Sequence, residues 1–114
     1  MTHTVEQHFE GRSPLVREIY EALLRSARRF GPVEEDPKKT SIHLNRKSAL
    51  AGVQTRKNHL ILTLKLDKDI SSDRVLRSQH ASANRWYAEI RLQSPDEVDV
   101  EMHGWIERAY AISA

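Results

Sequence analysis

The sequence predicts an α+β domain: an N-terminal helix, a four- or five-stranded antiparallel sheet and a C-terminal helix, with both helices on one face of the sheet. Two observations lead there. Apolar residues recur every three to four positions near each end of the chain, and every second position in the middle. At 114 residues the chain can bury one core but not two, so residues 1–114 are expected to form one domain, with 1–12 as a lead-in segment.

The first periodic segment is "SPLVREIYEALLRSARRFG". Ser13 can cap a helix, and Pro14 suits its first turn, where a missing N–H costs nothing. Val16, Ile19, Tyr20, Leu23, Leu24, Ala27 and Phe30 make one apolar stripe, and Gly31–Pro32 is the matching stop. The expected helix runs from about residue 14 to 29.

After Val33 the period falls to two. Ile42 and Leu44 alternate with Ser41, His43 and Asn45, and "ALAGVQ" follows. "HLILTLKL" puts Leu60, Leu62, Leu64 and Leu66 on one face and Ile61, Thr63 and Lys65 on the other. "RWYAEIRL" sets Trp86, Ala88, Ile90 and Leu92 against Tyr87, Glu89 and Arg91. Such alternation marks antiparallel strands with one face on a core and one polar face. Between these two strands, Asp67 to Asn84 reads as a long ordered connection, held by Val75 and Leu76, with a helical turn or strand near Arg74–Arg77.

In "SPDEVDVEMHGWIERAYAISA" helical spacing returns at Val98, Met102, Trp105, Ile106, Ala109, Tyr110 and Ile112, with Asp99 or Ser94 as the cap. Gly104 inside this helix suggests close approach to the sheet.

The chain has no cysteine, which removes disulfides and thiolate chemistry, and no run of membrane-spanning length. Its start does not read as a secretory signal, so a cytoplasmic location is the expectation. The net charge of +2 hides an uneven distribution: residues 37–92 carry twelve Lys or Arg against four Asp or Glu. A basic middle fits an anionic partner, nucleic acid included, or internal pairing with the acidic C-terminal segment.

The stretches "KKTSIHL", "ALAGVQTRKNHLILTLKL", "RVLRSQHASANRWYAEIRL" and "EVDVEMHGWIERAY" together resemble an uncharacterised bacterial family, domain of unknown function family 5655, over about Phe9 to Ile112. The matching residues are Lys39 with Ile42, Gly52 and its neighbours, Arg74, Arg85 with Trp86, Glu89, Asp99, Trp105 and Ala109–Tyr110. Similar domains stand alone or behind nuclease-like domains and are sometimes labelled "predicted transport protein". The resemblance implies a His where this chain has Ala88. It implies a fold and no activity.

Neither G-x-S-x-G nor a P-loop occurs, and no histidine pair has the helical spacing of a metal site. No catalytic residue, metal or cofactor is therefore assigned. The candidate ligand-binding residues are His43, Lys39, Arg74, Arg77, Arg85, Tyr87 and Glu89. Strand parity turns His43, Tyr87 and Glu89 to the polar face, and the arginine fork suits carboxylate or phosphate. Lysine beside an edge strand also blocks unwanted pairing without any ligand. The expected function is a non-enzymatic binding or accessory module for an anionic small ligand or protein partner, as a monomer or homodimer. A nucleic-acid accessory domain is the alternative, and a small enzyme using His43, Tyr87 and Glu89 comes third. On the uncovered face either a second copy packs, giving a symmetric dimer, or the Asp67–Asn84 connection folds over it and makes a pocket floored by these three residues with Arg74 or Arg77 at its mouth. The pocket is the expectation, because such polar groups are costly to bury in a dry interface.

Overall fold

Helix α1 spans Pro14–Arg28 in the computed structural model, which describes residues 3–114. Met1 and Thr2, the start of the expected lead-in, lie outside the described residues. The Ser13 hydroxyl accepts from the Leu15 N–H at 3.3 Å and Pro14 occupies the first turn, so the predicted start is the observed one. The rest of the lead-in is tied to the domain. A 3-10 turn, Glu6–Phe9, packs Phe9 against Tyr20, and Arg12 donates to Thr55 Oγ1 at 3.2 Å.

The strands are β1 (Glu34–Pro37), β2 (Ile42–Asn45), β3 (Ala49–Thr55), β4 (Leu60–Leu66), β5 (Val75–Ser82) and β6 (Arg85–Leu92). All pairings are antiparallel and the order is β1-β2-β3-β4-β6-β5. The sheet thus has six strands instead of four or five. The additional ones are edge strands that bury little, so neither needs apolar alternation. Strand β1 is "EEDP", held by its ladder to β2 and by the Tyr20 hydroxyl, which donates to Glu35 Oε1 at 2.6 Å. Strand β5 forms within the expected connection and takes in part of the place near Arg74–Arg77 where a helical turn or strand was expected. Of the two residues thought to hold it, Val75 is half-buried against the core but Leu76 is 54% exposed, and Ile70 is the buried residue there.

Helix α2 spans Val100–Ala111. Both candidate caps are used, by different elements: Asp99 accepts from the Met102 N–H at 3.0 Å, and Ser94 caps a preceding 3-10 turn, Pro95–Glu97. Gly104 does not mark a close approach, because a Cβ there would meet nothing within 4 Å. Gly104→Ala is therefore expected to raise stability by about 0.5–1 kcal/mol through helix propensity. Thermal or urea unfolding checks this, and destabilisation would show an unrecognised contact.

The buried side chains of α1 (Val16, Ile19, Tyr20, Leu23) and α2 (Met102, Trp105, Ile106, Ala109) form one cluster with Leu60, Leu62, Leu64 and Leu66 of β4. Ile42, Leu44, Val53, Ala88, Ile90 and Leu92 from the neighbouring strands complete it. Residues of the opposite parity, such as His43, Thr63 and Glu89, are half-buried.

Candidate functional site: the polar sheet face

Pairing register sets the site. His43, Gly52, Thr63, Glu89 and Arg77 are successive cross-strand partners over β2, β3, β4, β6 and β5, and Asp36 of β1 extends the row beyond His43. A second row sets Lys65 opposite Tyr87 and Tyr87 opposite Gln79. A depression of about 410 Å³ lies between these rows, with His43, Gly52, Thr63, Lys65, Tyr87 and Glu89 in its lining. The imidazole lies beside Gly52: a Cβ at that position would meet His43 Cδ2 at 3.8 Å, an ordinary van der Waals contact.

His43, Tyr87 and Glu89 thus share one concavity. Their backbones are not adjacent, however. Three strand spacings of about 4.8 Å separate His43 from Glu89, roughly 14 Å, and among the described residues no hydrogen bond joins them. The depression is also open above. The segment expected to roof it hydrogen-bonds to the edge of β6 as β5, continuing the sheet sideways.

Lys65 is the residue that sequence reasoning placed on this face but did not single out. It is 7% exposed and its Nζ donates to Ser48 Oγ at 2.8 Å. Among the described residues it makes no ion pair. Burial, and secondarily the nearby Arg85 guanidinium, hold its ammonium below the ordinary lysine range. The available signal was a single charged residue in the central strand "LILTLKL", whose seven residues are otherwise uncharged. Ser48, in the turn between β2 and β3, carried no signal at all.

The remaining candidates are dispersed. Arg74 leaves the face and clamps the start of α2: it donates to Asp99 at 3.0 Å, to Glu101 at 3.1 Å and to the Glu97 carbonyl at 2.6 Å, with its guanidinium 5.6 Å from the Trp105 ring centroid. The pairing with acidic C-terminal residues, weighed for all the arginines, is what this one does. Arg77 and Arg85 have the parity of Glu89 and Tyr87 but stand outside the depression, and Lys39 is exposed in the turn between β1 and β2. Trp86 is half-buried against the core and stacks on His80 at 3.9 Å.

A family model described as Domain of unknown function (DUF5655) matches residues 5–113. The chain belongs to this family. No curated protein and no solved structure matches it. In this DUF5655 member the place of the His implied by the resemblance, Ala88, is 1% exposed and pairs with Leu64 in the core layer. A His there would point away from the depression, so its absence takes nothing from the polar face.

A second, wider concavity of about 930 Å³ lies between α1 and the start of α2. Its Arg25, Arg28 and Arg29 face Glu21, Asp96 and Asp99, and cations and acids balance there. Among the described residues no three His, Asp or Glu side chains converge to hold a metal ion, and no helix is long and apolar enough to cross a membrane.

Proposed function

We propose that this domain is a non-enzymatic binding module that seats a small anionic ligand, a carboxylate or phosphate, in the depression on its polar sheet face. In this reading both helices cover the opposite face, and the polar face stays available. The observation that carries it is Lys65: a largely buried cation at a concave surface whose polar partner is a neutral hydroxyl. Glu89 lines the same depression, yet among the described residues Lys65 forms no ion pair with it. An enclosed charge that is not ion-paired is costly, and a ligand anion supplies the partner. Arg85 adds positive potential, and Thr63, Tyr87 and His43 offer hydrogen-bonding groups. The spread of His43 and Glu89 across the sheet favours binding over acid–base catalysis.

The test is titration with inorganic phosphate, citrate and adenosine monophosphate, following the amide resonances of Gly52, Thr63 and Tyr87. Saturable shifts at up to millimolar ligand are expected, and Lys65→Met should remove them. Unchanged shifts in that variant, or none in the wild type, would overturn the reading.

The same variant has a stability signature. Folding lowers the Lys65 pKa below the ordinary lysine value, so between the folded and unfolded values the unfolded chain holds more protons. Stability from this group therefore rises with pH across that window. Urea unfolding of wild type and Lys65→Met at several pH values from neutral to about 10 should show the wild type gaining relative to the variant. Parallel curves would mean that Lys65 is hydrated like a surface lysine.

A further inference from the structure

The outer strand β5 is a sheet edge left ready for pairing. Its Val75–Ser82 span bonds on one side to β6, and among the described residues no backbone N–H or C=O of Leu76–Ser82 bonds to any other element. Natural sheets protect such edges by shortness, proline, lysine or bulges. The opposite edge, β1, has these features: four residues ending in Pro37, with Glu35 bonded to Tyr20 and Asp36 bridged to Lys38. By contrast β5 has eight residues, no proline and no lysine. Its two register shifts lie between Val75 and Arg77 and between His80 and Ser82, which leaves Arg77–His80 in regular ladder with Glu89–Trp86.

Charge selects the occupant. From Arg74 to Arg85 there is no Asp or Glu, but three Arg and one His. Arg74 is consumed by the α2 clamp. Arg77 stands opposite Glu89, yet among the described residues it forms no ion pair. Leu76, beside it, is one of two large apolar side chains that are exposed among the described residues, at 54%. A second copy of this edge is a poor occupant, since β5 carries Arg77 and His80 and no acid, so a two-fold copy brings no acidic side chain of its own strand to meet them. We infer that β5 receives an extended segment of a partner protein in which acidic and apolar residues alternate, added to the sheet as a seventh strand. Main-chain hydrogen bonds to Arg77–His80 would supply affinity, an acid beside Arg77 the orientation, and an apolar neighbour would cover Leu76.

The probe is an acetylated, amidated eight-residue peptide of alternating Glu and Val, with a Lys–Val peptide as its counterpart. Fluorescence polarisation should detect the Glu peptide, and hydrogen exchange should show new protection at the amides of β5. Arg77→Glu should weaken the Glu peptide about tenfold or more and improve the Lys peptide, so a variant that had merely unfolded would be recognised by its failure to bind either. Gln79→Pro, which removes a ladder N–H, should reduce both. Equal binding of the two peptides, no binding at millimolar concentration, protection confined to the Lys65 depression, or a concentration-dependent dimer through β5 would each overturn the proposal.

Discussion

Replacing Leu62 by alanine is expected to destabilise the domain by about 2–5 kcal/mol. Leu62 is 1% exposed in a strand with neighbours on both sides, and it pairs with Val53 and Ile90, both buried. Truncation leaves a cavity where the sheet meets the helices, at the most cross-linked part of the core. Thr63 is the internal control. It has the opposite parity and is half-buried on the polar face, so Thr63→Ala should cost about 1 kcal/mol or less, mainly through strand preference. Urea unfolding of both variants decides the matter. A larger loss at Thr63 than at Leu62 would mean that the register is shifted by one, which would also turn His43, Lys65 and Glu89 inward.

Gly31→Ala is expected to cost about 2–4 kcal/mol, from backbone strain and a collision together. Gly31 has φ +148°, a conformation that L side chains rarely adopt, and a Cβ there would run into Tyr110 Oη. That hydroxyl donates to the Pro32 carbonyl at 3.2 Å, fastening the end of α2 to the turn that ends α1. Gly11 separates the two contributions: its φ is +72° but a Cβ would meet nothing within 4 Å, so Gly11→Ala should cost about 1–2 kcal/mol from strain alone. In a double-mutant cycle, Tyr110→Phe should recover part of the Gly31→Ala loss, because the colliding oxygen is gone. Strict additivity would show that the turn gives way without touching Tyr110.

The parts of the fold that were legible are those where burial writes a period into the sequence. Leu60 to Leu66 and Trp86 to Leu92 alternate because one face of each strand is buried, and Val16 to Ala27 repeat every three to four because one side of α1 is. Strand β1 escaped, and β5 surfaced only as a helical turn or strand near Arg74–Arg77, for the complementary reason: β5 half-buries Val75 alone and β1 is acidic with a terminal proline, so ladder hydrogen bonds made them strands and left little apolar signature. Site residues divided in the same way. Parity correctly aimed His43, Tyr87 and Glu89 at one face, because parity is local. Where a long arginine ends depends on partners distant in sequence, and Arg74 found Asp99 and Glu101 twenty-five and twenty-seven residues on. The hydrogen bond of Lys65 likewise goes to a residue distant in sequence, Ser48, seventeen residues earlier.

Strand order has a further consequence, for the growing chain. Since β6 lies between β4 and β5, β4 cannot gain its second neighbour until synthesis has passed Leu92. Before then the N–H and C=O groups on that edge are unpaired, and Met102, Trp105 and Ile106, which help to cover its leucines, have not yet been made. The β5–β6 hairpin closes onto β4 with β6 innermost. Until that docking step a nascent or refolding molecule presents β4 as an edge strand, paired with β3 alone, the condition under which chains associate with one another. Chains truncated before Arg85 are therefore expected to aggregate during refolding, and the rate of hairpin docking sets how long the full-length chain shares that hazard.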